Sequence, residues 1–160
     1  MIQLAGPALR ALLEAALERH AETPQAALQI LVSVQHALHH VPDEAVHYLA
    51  QRLALPPVRL RGLIGFYSFL SPTPQGDYVV HLSDNITDQM RESRKLGDAL
   101  CSRLGVSLGK TRGDLRVSVR RTSCIGMSDQ GPAALVNYRP VTRLDEERIN
   151  LMAGLINASV

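Results

Sequence analysis

The first seventy residues carry apolar side chains every three or four positions, and this spacing predicts amphipathic helices that pack on one another. The first helix begins at Pro7, and its apolar stripe comprises Leu9, Leu12, Leu13, Ala16 and Leu17. The second begins after Thr23-Pro24, where Thr23 is expected to act as the N-cap. Proline-containing breaks at 41–42 and 55–57 delimit two further helices. Asp43 and Glu44 suit the first turn of the helix that follows the break at 41–42, since negative charge is favourable there.

The hydrophobic pattern changes after Leu70. Residues 71–76 read Ser-Pro-Thr-Pro-Gln-Gly, a loop of turn-forming residues that predicts a domain boundary. We therefore expect a helical arm over 1–70 and a second domain over 71–160. The second domain is predicted to contain strands at 78–82, 115–120 and 133–138, and helices at 88–104 and 144–156. This α+β or α/β order suits a small thioredoxin-like sheet behind an N-terminal helical bundle.

Polar and apolar residues alternate through the second predicted strand. Arg116, Ser118 and Arg120 fall on one face, which we expect to lie in water. This is the most basic stretch of a chain whose net charge is only +2, so nucleic acid is not an expected partner.

Composition indicates an ordinary soluble protein, with 46% hydrophobic and 20% charged residues. No apolar run approaches the ~20 residues that a membrane-spanning helix requires, and no signal-peptide pattern opens the chain. The two cysteines do not predict a disulfide, because Cys101 falls in an amphipathic helical pattern and should be buried as a small hydrophobe. A cytoplasmic location is the expectation.

The histidines raise the question of a metal site. His36 and His40 are four residues apart and could share one face of a helix, as paired ligands do. Their position near a helix C-terminus has a simpler explanation, since they complement the negative end of the helix dipole. The others, His20, His39, His47 and His81, are expected to be surface or half-buried side chains.

Cys124 is the one candidate nucleophile. It follows a predicted strand, and the nearby Arg120 and Arg121 would lower its pKa, although an inert thiol is the favoured interpretation. No glycine-rich phosphate loop precedes a helix, so the chain predicts no nucleotide site of its own and no catalytic residue.

Three stretches together resemble a known family. A Val-Gln pair at 34–35 is followed by an aliphatic–Pro–acidic turn at 41–44, and 62–67 is similar to a Gly-x-x-x-Phe-Tyr signature. Residues 124–133 begin with Cys-Ile-Gly and end with Pro-Ala, as in that family's second cysteine loop. The family is the thioredoxin-like 2Fe–2S subunit of respiratory complex I and its relatives in NAD-linked hydrogenases and formate dehydrogenases. The resemblance covers roughly 24–156 and is strongest, at 124–130, to the domain that precedes the flavin- and NAD-binding part of the hydrogenase diaphorase flavoprotein.

The resemblance implies four cluster positions. Family members hold a 2Fe–2S cluster with two cysteine pairs, which fall here at Ser83 and Asp88 and at Cys124 and Ser128. One thiol of four remains, whereas such a cluster normally requires four thiolates or a histidine pair on one iron. The expectation is therefore a degenerate site, with no cluster and no other metal bound by this chain.

The resemblance also implies a function, that of an accessory, non-redox subunit or domain of a flavin/NAD(H) electron-transfer module. Its partners would be the flavin- and NAD-binding subunit, which holds FMN and NAD, and other iron–sulfur subunits. Phe66, Tyr67 and Phe69 could form a packing seam for a partner, or equally the junction between arm and sheet. The alternatives are an electron carrier whose cluster uses Cys124 with unusual ligands, and a thiol redox enzyme, which the lack of a Cys-x-x-Cys pair disfavours.

Overall fold

The structure, a computed structural model, describes residues 6–158, and the chain separates into two compact units at the Pro74–Gln75 bond. This division falls inside the turn-forming loop 71–76. The first unit is helical and the second contains the sheet. No helix in the described range is long and apolar enough to cross a bilayer.

The N-terminal unit is built from four α-helices within the described residues. They are α1 (Pro7–His20), α2 (Ala27–Leu38), α3 (Asp43–Arg52) and α4 (Pro57–Phe66). Their apolar stripes meet in one core, whose most deeply buried members include Leu13, Ile30, Leu31, Leu49 and Leu60. The predicted four helices are confirmed.

Thr23 does not cap a helix through its side chain, so that expectation is wrong. The chain first forms a tighter 3₁₀ turn over Pro24–Ala26, and α2 starts only at Ala27. Thr23 precedes this turn in an extended conformation, and its side chain makes no hydrogen bond to the amides of the turn.

The C-terminal unit is a four-stranded mixed sheet with helices. Its elements are β1 (Tyr78–Ser83), α5 (Ile86–Gln89), α6 (Ser93–Leu104), β2 (Val117–Thr122), β3 (Ala134–Val136), β4 (Arg139–Val141) and α7 (Glu146–Ala158). The strand order is β2-β1-β3-β4, with β1 parallel to β2 and the other pairs antiparallel. The core includes Val80, Leu100, Leu104, Val119 and Ile149.

Two elements of this unit are divided where the sequence pattern predicts one. The helix expected over 88–104 is two helices, because Glu92 takes a left-handed conformation with φ 59°. The strand expected over 133–138 is the first arm of a hairpin, since Asn137 and Tyr138 both have positive φ. Two consecutive positive-φ residues match the turn geometry that joins tightly twisted hairpins. The fourth strand, β4, was not predicted.

The sheet is covered on both faces near β1 and β2, which corrects two expectations. Ser118 is fully buried. Its hydroxyl is satisfied there, because the Gly76 amide donates to it at 2.8 Å and the Thr111 hydroxyl lies 2.8 Å away. His81, expected to be a surface or half-buried side chain, is only 3% exposed on the interior strand β1. Burial is the main cause that lowers its pKa to about 4, and the Arg120 charge on the neighbouring strand adds to it.

Candidate functional site

Two loops meet at one edge of the sheet because of how β1 and β2 pair. The strands run parallel, and their last residues, Ser83 and Thr122, are register partners. The chain therefore leaves both strands at the same edge. The loop after β1 leads to Asp88, and the loop after β2 contains Cys124 and Ser128. All four positions implied by the family resemblance lie in or beside these two loops.

Asn85 links the two loops. Its side-chain oxygen accepts a hydrogen bond from the Asp88 amide at 2.9 Å and so caps α5. Its side-chain nitrogen donates to the Ser83 hydroxyl at 3.3 Å and to the Ser128 hydroxyl at 3.0 Å. One amide side chain therefore contacts residues at three of the four implied positions.

Asp88 is the buried centre of this cluster. It has no exposed surface, and the Ser83 hydroxyl donates to its Oδ2 at 2.5 Å. Its Oδ1 has no hydrogen-bond donor among the described residues and packs against Gly131. The helix predicted over 88–104 would place the Asp88 carboxylate at its start, where it could cap the free amides, and that expectation is wrong. Because α5 begins at Ile86, Asp88 lies inside the helix and Asn85 takes the cap position.

Gly131 allows the second loop to close on the first. A β-carbon built at this position would lie 2.0 Å from Asp88 Oδ1. The Arg91 guanidinium also donates to the Gly131 carbonyl at 2.9 Å. Contacts from both Asp88 and Arg91 thus hold this loop in place.

Cys124 is exposed at the edge of the cluster. The Gly126 amide donates to its sulfur at 3.3 Å, and the Ser128 hydroxyl lies 3.8 Å from it. These two contacts, the amide first, lower the pKa of the thiol. The expected role of Arg120 and Arg121 is wrong, since neither guanidinium contributes to this shift in pKa, and Arg121 donates to Asp98 at 3.0 Å instead.

The donor set at the four positions does not fit a 2Fe–2S cluster. It consists of one thiol, two hydroxyls and one carboxylate, and oxygen donors are harder than the sulfur ligands that such clusters use. Two of these donors, Ser83 and Asp88, already hydrogen-bond to each other in the buried interior. A ligand to iron would have to give up that bond.

The histidine pair does not share a helical face. Helix α2 ends at Leu38 and His39 is left-handed with φ 58°, so His40 lies beyond the helix that carries His36. His40 Nδ1 instead lies 2.8 Å from the Leu38 carbonyl oxygen. Among residues 6–158 no three His, Cys, Asp or Glu side chains are grouped as metal ligands would be. Cys101 is 8% exposed, as expected for a small buried hydrophobe.

Asn85 and Gly131 were not identified from the sequence as functional residues. Asn85 carried a usable signal, since asparagine just before a predicted helix favours an N-cap. Gly131 carried none, because its contact with Asp88 joins positions far apart in the chain.

Comparison with known proteins gives this site a context. The sequence profile of the thioredoxin-like [2Fe-2S] ferredoxin family matches residues 13–155. This chain belongs to that family. The thioredoxin-like fold expected for the sheet domain is thereby confirmed, and so is the resemblance drawn from the three motifs.

Two relatives belong to two different kinds of enzyme. The NAD-reducing hydrogenase HoxS subunit alpha of Cupriavidus necator is 32% identical over 133 residues, which is 83% of this chain and 22% of that subunit. A subunit of the NADH-quinone oxidoreductase of Escherichia coli K12 is 30% identical over 131 residues, 81% of this chain and 79% of that one. The chain thus spans about a fifth of the hydrogenase polypeptide but most of the quinone oxidoreductase polypeptide.

Solved structures agree with these relatives. The air-oxidised NAD⁺-reducing [NiFe]-hydrogenase aligns with a TM-score of 0.69 at 33% identity, over 81% of this chain and 23% of that chain. The H₂-reduced form of the hydrogenase gives a TM-score of 0.70 at 32% identity, over 84% and 23%.

Asn85→Ala should lower the free energy of unfolding of the C-terminal unit by about 2 kcal/mol, the upper part of the range for a lost N-cap. The loss is large because the hydrogen bonds to Ser83 and Ser128 disappear together with the cap. Urea denaturation measures the change. Asn85→Asp is the matched control, since it keeps the cap and loses the two donated bonds. A loss from Asn85→Asp as large as that from Asn85→Ala would show that the cap contributes nothing.

Proposed function

We propose that this chain is a non-redox accessory of a flavin/NAD(H) electron-transfer module. The observation that carries the proposal is the hydrogen-bonded cluster of Ser83, Asn85, Asp88 and Ser128 where relatives are expected to hold iron. Hydrogen bonds join the two loops in place of a metal cluster. The relatives support the setting, since one belongs to an NAD-reducing hydrogenase and the other to an NADH-quinone oxidoreductase.

In this role the chain acts through its surface. Its partner is the flavin- and NAD-binding subunit or domain, which holds FMN and NAD, and other iron–sulfur subunits complete the assembly. The N-terminal unit packs on the flavoprotein, and the C-terminal unit shields or positions the flavoprotein. The isolated chain should neither bind NADH nor reduce a dye with it.

A second candidate is an electron carrier that holds a cluster through Cys124. The exposed thiol with its lowered pKa favours it, because the thiolate is the form that binds metal. The donor set disfavours it, since the other three positions offer oxygen. A thiol redox enzyme is a weaker alternative, because the remaining cysteine, Cys101, is buried in α6.

Protein purified without oxygen should be colourless and should contain no stoichiometric iron or acid-labile sulfide. The measurements are the near-ultraviolet and visible absorption spectrum and the EPR spectrum of the protein after reduction. The matched control is the triple variant Ser83→Cys, Asp88→Cys, Ser128→Cys, treated with iron and sulfide in parallel. A reduced-state EPR signal in stoichiometric yield from the unsubstituted chain would overturn the proposal.

The same test can be made on the assembled complex. Cys124→Ser should leave NADH-driven electron transfer unchanged, because no cluster depends on the thiol. A variant complex that assembles normally yet fails to pass electrons would favour the electron-carrier alternative.

A further inference from the structure

A cavity between α1 and α2 brings basic side chains and a hydroxyl together. Its volume is ≈ 440 Å³. The lining consists of four polar and two apolar side chains: Arg19, His20, Ser33, His36, Val32 and Ala37. This α1–α2 cavity lies within the N-terminal unit. Its volume falls in the range of about 300–1,000 Å³ that is typical of small-molecule sites.

The polar lining of the α1–α2 cavity favours an anion. Among the described residues no Asp or Glu lines it. Arg19 is exposed and makes no side-chain hydrogen bond or ion pair within residues 6–158, so its guanidinium is available to a ligand. Arginine presents its N–H groups in a planar fork that matches the oxygens of a phosphate or a carboxylate.

His20 and Ser33 place a hydroxyl donor in the cavity. The His20 Nε2 atom lies 2.8 Å from the Ser33 hydroxyl oxygen, and both side chains are half-buried. With the ring proton on Nε2, His20 donates to Ser33, and the hydroxyl proton of Ser33 is left for a ligand. His36 follows Ser33 by three residues on α2, so the two side chains are neighbours on the helix surface. The cavity therefore offers donors from a guanidinium, a hydroxyl and a second imidazole.

Charge at the helix ends accounts for part of this arrangement. Arg19 and His20 lie in the last turn of α1, and His36 lies in the last turn of α2. Cations there complement the negative end of the helix dipole. That effect does not account for Ser33, which lies in the middle of α2 and holds the His20 ring at the cavity.

We propose that the α1–α2 cavity binds a small phosphate monoester. The phosphate oxygens accept hydrogen bonds from Arg19, Ser33 and His36. The organic part of the ester lies against Val32 and Ala37. A phosphate group suits the cavity better than a carboxylate, because it has three strong acceptor oxygens and the larger negative charge. The proposal goes beyond the proposed function and uses no residue of the cluster positions, so either can fail without the other.

An NMR titration of the full chain with phenyl phosphate tests the site. Saturable shifts are expected at the backbone amides of 19–20 and 32–37, with one ligand bound per chain. Arg19→Gln should weaken binding by about 10-fold or more, because hydrogen bonds from a charged group are lost. Ser33→Ala should weaken it by about 5-fold, because one of several donors is lost. Alanine is favourable inside a helix, so this variant should fold normally.

Arg59→Gln is the matched control. Arg59 is also an exposed arginine on a helix of the N-terminal unit, but it lies outside the cavity. This variant should bind phenyl phosphate as the natural chain does. If it loses as much affinity as Arg19→Gln, or if no shift saturates, the anion only screens the positive charge of the chain and the proposal is overturned.

Parallel titrations identify the class of anion. Inorganic phosphate and sulfate should bind more weakly than phenyl phosphate, because they lack the organic part. Succinate should bind most weakly, since its carboxylates offer fewer acceptor oxygens per group. Equal affinities for succinate and phenyl phosphate would overturn the assignment to a phosphate ester.

Discussion

Gly131→Ala is expected to lower the free energy of unfolding of the sheet unit by about 3 kcal/mol, the upper part of the usual range for overpacking. The reason is steric, because the new β-carbon would meet Asp88 Oδ1 at 2.0 Å in a buried site. Backbone strain does not contribute, since Gly131 has φ −70°, which alanine adopts freely. Urea denaturation followed by circular dichroism measures the loss.

A double-mutant cycle identifies the contact. In an Asp88→Ala background the clash is gone, so adding Gly131→Ala should cost less than about 1 kcal/mol more. Asp88→Ala alone should cost about 2 kcal/mol, because the Ser83 hydroxyl loses its acceptor in a buried site. Gly113→Ala serves as the control, since a β-carbon there meets nothing within 4 Å. Equal losses from Gly131→Ala in both backgrounds would show that Asp88 is not the obstacle.

The free energy of unfolding should fall by about 3 kcal/mol as the pH drops from 6.5 to 4, through the titration of His81 alone. Its pKa is about 4 in the folded chain, chiefly because burial disfavours the charged ring and also because Arg120 repels it, against 6.5 when unfolded. Between these values the unfolded chain binds more protons than the folded chain, so acid favours unfolding. Above pH 7 the ring is neutral in both states and contributes no pH dependence.

The measurement is the free energy of unfolding at several pH values for the natural chain and for His81→Gln. Glutamine retains hydrogen-bonding groups but does not titrate, so the difference between the two curves isolates the histidine. Hydrogen bonds with Arg112 lower the pKa of Asp114. Carboxyl groups such as this one titrate alike in both proteins, so their contributions cancel in the difference between the curves. Curves that stay parallel from pH 7 to pH 4 would contradict the prediction.

Much of the helical unit could be predicted because its signals are local. Proline positions and a 3.6-residue apolar repeat delimit its helices, and these features depend on neighbouring residues only. The errors lie at points where local signals conflict with packing. Threonine is a residue type that favours the N-cap position, yet the residues after Thr23 form a 3₁₀ turn that its side chain does not cap. His81 is a polar residue among apolar neighbours and was expected at a surface or half-buried position, yet β1 is an interior strand that is covered on both faces.

The candidate site divides in the same way. The motifs in the sequence were sufficient to predict the family, and the resemblance placed oxygen donors at three of the four implied cluster positions. The hydrogen bonds that those donors make depend on contacts between loops that are far apart in the sequence. Ser83 and Ser128 reach the same Asn85 because parallel pairing of β1 and β2 brings two loops to one edge of the sheet. The contact between Asp88 and Gly131 joins residues that are distant in the chain, and no local pattern encodes such a distance.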